Sequence, residues 1–116
     1  MSYNIYLKDR NDEVVVVPKF AEGGTYAVGG TTGADLNVTY NYSKFYYAYL
    51  DTVLGIRWLY GTKGSDCLER LESAIAVLGT ERSSDYWEAT PGNAGYALSI
   101  LRDWAKLHPG AVFDGD

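Results

Sequence analysis

The chain has 116 residues and a mass of 12.8 kDa, room for one folded unit over residues 1–116 and for no second independent core. At 47% hydrophobic and 22% charged it is neither disordered nor low in complexity, and fifteen acidic against ten basic residues leave a net charge of −5, which argues against general nucleic-acid binding. One cysteine, Cys67, and one histidine, His108, speak against a disulfide framework and against a Cys/His metal site, so neither metal nor cofactor is expected.

The N-terminus has no basic stretch followed by an apolar one, and its longest aliphatic run, Val14 to Val17, is far short of the ~20 residues of a membrane helix. The expectation is a cytoplasmic protein without a membrane segment. Tyr3, Ile5 and Leu7 alternate with Ser2, Asn4, Tyr6 and Lys8, the period of a half-buried strand. Asp9 to Asp12 supply turn residues, and Val14 to Val17 then complete a hairpin whose four valines predict cover on both faces. Residues 19 to 34 hold Gly23, Gly24, Gly29, Gly30 and Gly33 around a strand-like Thr25 to Val28. Leu36, Val38 and Tyr40 alternate with polar residues, predicting a further strand, and Ser43 is placed to cap a helix over 44 to 50.

The second half reads as helical. Gly55 to Gly61 form a short element whose type the sequence leaves open. Leu68, Leu71, Ile75 and Leu78 mark one helix face, with Asp66 near its start and Gly79 just past its end. Thr90 and Pro91 open a helix to about Leu107, with Ala94, Ala97, Leu98, Leu101 and Trp104 or Ala105 inward; Pro109 and Gly110 stop it. The tail, through Val112 and Phe113, is expected to fold back on the body. Strands followed by helices predict an α+β fold: a small antiparallel sheet, made of the N-terminal hairpin and one or two more strands, against two to four helices.

Catalytic chemistry finds little support. Cys67 has only His108 as a base, and the histidine directly precedes Pro109 at a helix end, although a first-turn cysteine favours a thiolate. Gly24 to Thr31 nearly matches a P-loop, but Gly30 stands where the lysine belongs and no helix pattern follows. Asp35, Asp85 and Glu88 qualify as a carboxylate pair by location alone. No enzyme activity is expected. Tyr40, Tyr42, Phe45, Tyr46, Tyr47 and Tyr49 fall within ten residues, and core packing with a wet rim is the first reading of them, ahead of a protein interface and of a ligand pocket shared with the glycine segment. Such rings suit core, protein interface or ligand pocket; base stacking wants a basic groove, and Lys44 is the only base between Phe20 and Ile56.

The segments 23 to 32 (GGTYAVGGTT), 36 to 42 (LNVTYNY), 85 to 94 (DYWEATPGNA) and 112 to 116 (VFDGD) resemble a family of short uncharacterised proteins of phages, prophages and bacteria. The likeness spans nearly the whole chain and carries over no activity and no catalytic residue. It implies only a context, a small accessory protein inside a bacterial host; with the surplus of tyrosines, the acidic balance and the lack of a catalytic set, the expectation is a non-enzymatic binder and inhibitor of a host protein. A nucleic-acid-binding defence protein such as a CRISPR nuclease is the kind of target, bound without direct nucleic-acid contact. The alternative is a sponge for a nucleotide signal, held by the glycine segment and the tyrosines, with Arg57 or Lys44 supplying charge; a small hydrolase comes third. Candidate binding residues for either binder are Gly24, Tyr26, Gly29, Gly30, Tyr40, Tyr42, Tyr46, Tyr47 and Arg57. Self-association stays open.

Overall fold

Strict alternation of large apolar and polar residues makes Ser2–Lys8 the first strand, β1, with Tyr3, Ile5 and Leu7 on the buried side. The computed structural model describes residues 1–18 and 32–116. Leu36 and Val38 give the second strand, β2 (Asp35–Thr39), the same alternation, and Phe113 is buried in the third, β3 (Val112–Gly115). The sheet is antiparallel in the order β2-β1-β3, with Tyr3 opposite Val38 and Leu7 opposite Phe113. Among the described residues three helices, α1 (Ser43–Tyr49), α2 (Gly64–Leu78) and α3 (Pro91–Leu107), complete an α+β fold. The tail therefore does more than fold back. It is a sheet strand, and its outer edge is closed by Gly61 N–H on the Phe113 carbonyl at 2.7 Å and by Phe113 N–H on Thr62 at 3.0 Å.

The second arm of the N-terminal hairpin is shorter than the valine run predicts. Asp9 Oδ1 accepts from Asn11 and Glu13 N–H groups to build the turn, but among the described residues the valine run makes isolated bridges, Val14 to Lys8 and Val16 to Gly33. Nor is the run covered on both faces. Val15 and Val17 are buried while Val14 and Val16 face outward, so β-branching reported strand preference and not depth. The glycine segment, including Gly24, Tyr26, Gly29 and Gly30, lies outside the described residues.

Leu71, Ile75 and Leu78 of α2 are buried as predicted, with Cys67 and Ala74 beside them, and Leu68 is only half-buried. Thr90 caps α3 through its Oγ1, which accepts from Asn93 N–H at 3.1 Å, with Pro91 at the first helical position. Helices α2 and α3 run antiparallel. Gly64 lies against Ala105 at one end, and Gly95 lies against Gly79 at the other. Ser43 does not cap α1. Its hydroxyl donates back to the Tyr40 carbonyl at 2.7 Å, because Tyr40–Tyr42 already forms a 3-10 turn capped by Thr39. Gly55–Leu59 is a second 3-10 segment. No helix among the described residues is long and apolar enough to cross a membrane.

Candidate functional site

The tyrosine run is divided by the period of α1. Tyr42 and Tyr46, four apart, point inward with no exposed surface and meet edge to face at 6.4 Å between ring centres. Their hydroxyls are spent on the body of the protein: Tyr42 donates to the Tyr86 carbonyl and Tyr46 to the Ala94 carbonyl at 3.0 Å. Burial pushes the Tyr42 phenol up to about 12 and that of Tyr46 well above its ordinary range. As candidate contact residues both are corrected to core. A ring with a satisfied hydroxyl is a good interior residue, and these two have no face left for a ligand.

Tyr40 and Arg57 come together, but at the far end of the sheet. The Arg57 guanidinium sits 4.9 Å from the Tyr3 ring centre and donates to Tyr40 Oη at 3.1 Å. Its Nε donates to the Asp116 carbonyl at 3.4 Å, where Tyr60 Oη also donates at 3.2 Å. Arg57 thus ties the residue that follows β3 to the tyrosines through its Nε and one Nη2 donor.

Tyr47 is exposed, as an interface reading requires. Its ring covers Gly55, where a Cβ would approach Cζ to 3.3 Å and where φ is +59°, so glycine is needed on both counts. Of the residues that join it, Tyr49 belongs to the tyrosine run singled out above, whereas Val53 and Leu54 were not singled out from sequence. Tyr49, Val53 and Leu54 are exposed to 48%, 78% and 50%. With Tyr47 they place four large apolar side chains on the surface within eight residues.

Asp51 sets this ridge rigidly. Its Oδ1 accepts from Val53 N–H at 2.9 Å and from Leu54 N–H at 2.8 Å, and its carbonyl accepts from Gly55 N–H at 2.9 Å. Its Oδ2 meets Arg70 Nη1 at 3.2 Å, and that guanidinium lies 4.0 Å from the centre of the Trp58 ring. The two backbone N–H groups, helped by Arg70, hold the Asp51 carboxyl below the usual carboxylate range. The sequence signal was Asp followed within three residues by two apolar residues outside any helical period.

A second irregular segment is held as firmly. Asn93 is buried, and its side chain accepts from Ser83 N–H at 2.9 Å and donates to the Asp85 and Glu88 carbonyls at 3.1 and 2.9 Å. All its polar atoms are used, so it fixes the α2–α3 connection as a fully satisfied node. Trp87 stands 41% exposed there, with its carbonyl accepting from Asn41 Nδ2 at 2.8 Å.

The remaining candidates sit apart. Cys67 has no exposed surface and its thiol is pushed up to about 12 by burial, which overrides the favourable first-turn position. His108 Nε2 is 2.7 Å from the Val16 carbonyl oxygen. Asp35 is on β2, whereas Asp85 and Glu88 belong to the α2–α3 connection, where Asp85 Oδ1 accepts from Trp87 N–H at 3.0 Å. Asp35 Oδ1 is buried without a hydrogen-bond partner among the described residues, and burial raises its carboxyl pKa. The charged form is therefore disfavoured in the fold, a cost present above the folded pKa and lost as pH falls through it. Asp35→Asn should melt higher than the parent at pH 7, with the difference shrinking toward about pH 4, near the ordinary carboxylate pKa. An equal difference at both pH values, read by thermal unfolding, would contradict this.

Comparison with family models, with curated proteins and with solved structures gives no match for this chain.

Proposed function

We propose that this protein is a non-enzymatic binding module that docks on a host protein through the ridge of Tyr47, Tyr49, Val53 and Leu54. One observation carries the reading: Val53 and Leu54 are exposed to 78% and 50% on a backbone that Asp51 holds by three hydrogen bonds. Exposed apolar side chains on a mobile loop would lose affinity to ordering. Here that entropy is already lost in the free protein. The Tyr47 ring covers Gly55, the residue after Leu54, so an aromatic side chain stands at this turn, in keeping with the make-up of an interface centre, where rigid amphipathic rings supply contact area.

The resemblance to short phage and prophage proteins supplies the setting, a bacterial host, and inhibition of a host defence protein is its natural outcome. The net charge of −5 suits a target that itself handles nucleic acid.

The test compares the parent chain with a Val53→Asp, Leu54→Asp double variant, first in capture from host lysate and then with the purified captured protein. Both side chains are exposed, so the variant should keep the parent's melting temperature. It should fail to form the stoichiometric complex seen with the parent on size exclusion. A folded variant that forms the same complex would overturn the proposal.

A further inference from the structure

We infer that the partner segment is basic: an apolar anchor seats on Val53 and Leu54, and a lysine or arginine enters the adjoining groove between Trp58, Asp66 and Glu69. This rests on the docking reading above and adds the chemistry of the partner.

The groove is lined by Trp58, Asp66, Glu69, Arg70 and Ser73. Its one cation is already engaged. The Arg70 guanidinium lies over the Trp58 ring at 4.0 Å and is turned to Asp51 Oδ2 at 3.2 Å. Asp66 and Glu69 are exposed, three apart on α2 and so on one side of it, and neither is ion-paired among the described residues. The groove lining therefore carries two carboxylates, Asp66 and Glu69, against one cation, Arg70, which Asp51 already pairs from outside it.

The ridge and the groove are joined through one side chain. Asp51 holds the Val53 and Leu54 amides with Oδ1 and Arg70 with Oδ2, so the spacing between apolar anchor and acidic groove is fixed before any partner arrives. The complement of that pair is an apolar residue beside a cation. A second copy of the chain fits less well, because two chains of charge −5 repel, and a nucleic acid would meet the same carboxylates.

The probe is a synthetic 14-residue helical peptide of leucine and lysine, set against its leucine and glutamate counterpart in calorimetric titration. The parent should bind the lysine peptide one to one, more weakly as salt rises, and should not bind the glutamate peptide. Asp66→Lys with Glu69→Lys should weaken binding about fivefold, the weight of two exposed charge pairs. Glu13→Lys with Glu81→Lys makes the same change in net charge away from the groove and should leave affinity near the parent's. Equal loss in the two variants, or no binding of the lysine peptide, would overturn the inference. If both peptides bind and Leu54→Asp abolishes both, the docking reading survives and the basic partner falls. If Leu54→Asp changes neither lysine-peptide binding nor host-protein capture, the docking reading falls as well.

Discussion

Gly95→Ala is expected to destabilise the protein by about 3 kcal/mol, at the upper end of what overpacking costs. A Cβ at that position would stand 1.8 Å from the Gly79 carbonyl oxygen and 3.0 Å from Leu78 Cβ, both on the C-terminal end of α2. Neither neighbour is the free end of a flexible side chain, so α2 and α3 must part locally. Helix propensity acts the other way and favours alanine over glycine by about 1 kcal/mol, which makes the sign of the result informative. Gly92, where a Cβ would stand 1.9 Å from the Glu81 carbonyl oxygen, shows that the chain leaving α2 also closes over α3 at this position. Urea unfolding decides it: a gain in stability in Gly95→Ala would mean that the helices are less closely apposed than described.

Leu71→Ala should cost about 2–5 kcal/mol, the range for truncating a buried leucine into a cavity that the surroundings fill only partly. Leu71 has no exposed surface and belongs to α2, which makes its most extensive helix contact with α3. Leu68, on the same predicted face but half-buried, should lose clearly less when truncated. The check is the denaturation midpoint at unchanged slope. A loss below about 1 kcal/mol for Leu71→Ala would place that face outward, against the usual cost of such a substitution.

The regular elements were legible where local chemistry and long-range packing agreed. Alternation in Tyr3, Ile5 and Leu7, the Thr90 and Pro91 start of α3 and the spacing of Leu71, Ile75 and Leu78 each name both an element and its buried side. Legibility failed where one residue type serves two environments. Tyrosine is apolar enough for a core and polar enough for a surface. The partners that settle Tyr42 and Tyr46 are carbonyls of Tyr86 and Ala94, 44 and 48 residues away. The buried spacing of Tyr42, Tyr46 and Leu50 was present in the sequence, but it competes with the equally helical pair Phe45 and Tyr49. Nothing local chooses between them.

The valine run and Ser43 misled for a related reason. Each has a local preference that a neighbour overrides: Val14 and Val16 gain no cover, and the 3-10 turn at Tyr40–Tyr42 takes up the Ser43 hydroxyl. The exposed ridge went unrecognised because it has no period to detect. Val53 and Leu54 are displayed by an aspartate turn, and that turn is anchored to Arg70 on a different helix. Of the candidate binding residues that the structure describes, Tyr47 alone lies on the ridge, while Tyr40 and Arg57 brace the sheet end at β3.

Amide hydrogen exchange, compared between the free chain and its isolated complex with the captured host protein, tests the docking claim most directly. The account predicts new protection concentrated over residues 47 to 55 and the start of α2, with the sheet face around Tyr3, Tyr40 and Arg57 unchanged. Protection centred on Tyr40 and Arg57, or on the Trp87 connection, with residues 47 to 55 exchanging as in the free chain, would contradict it.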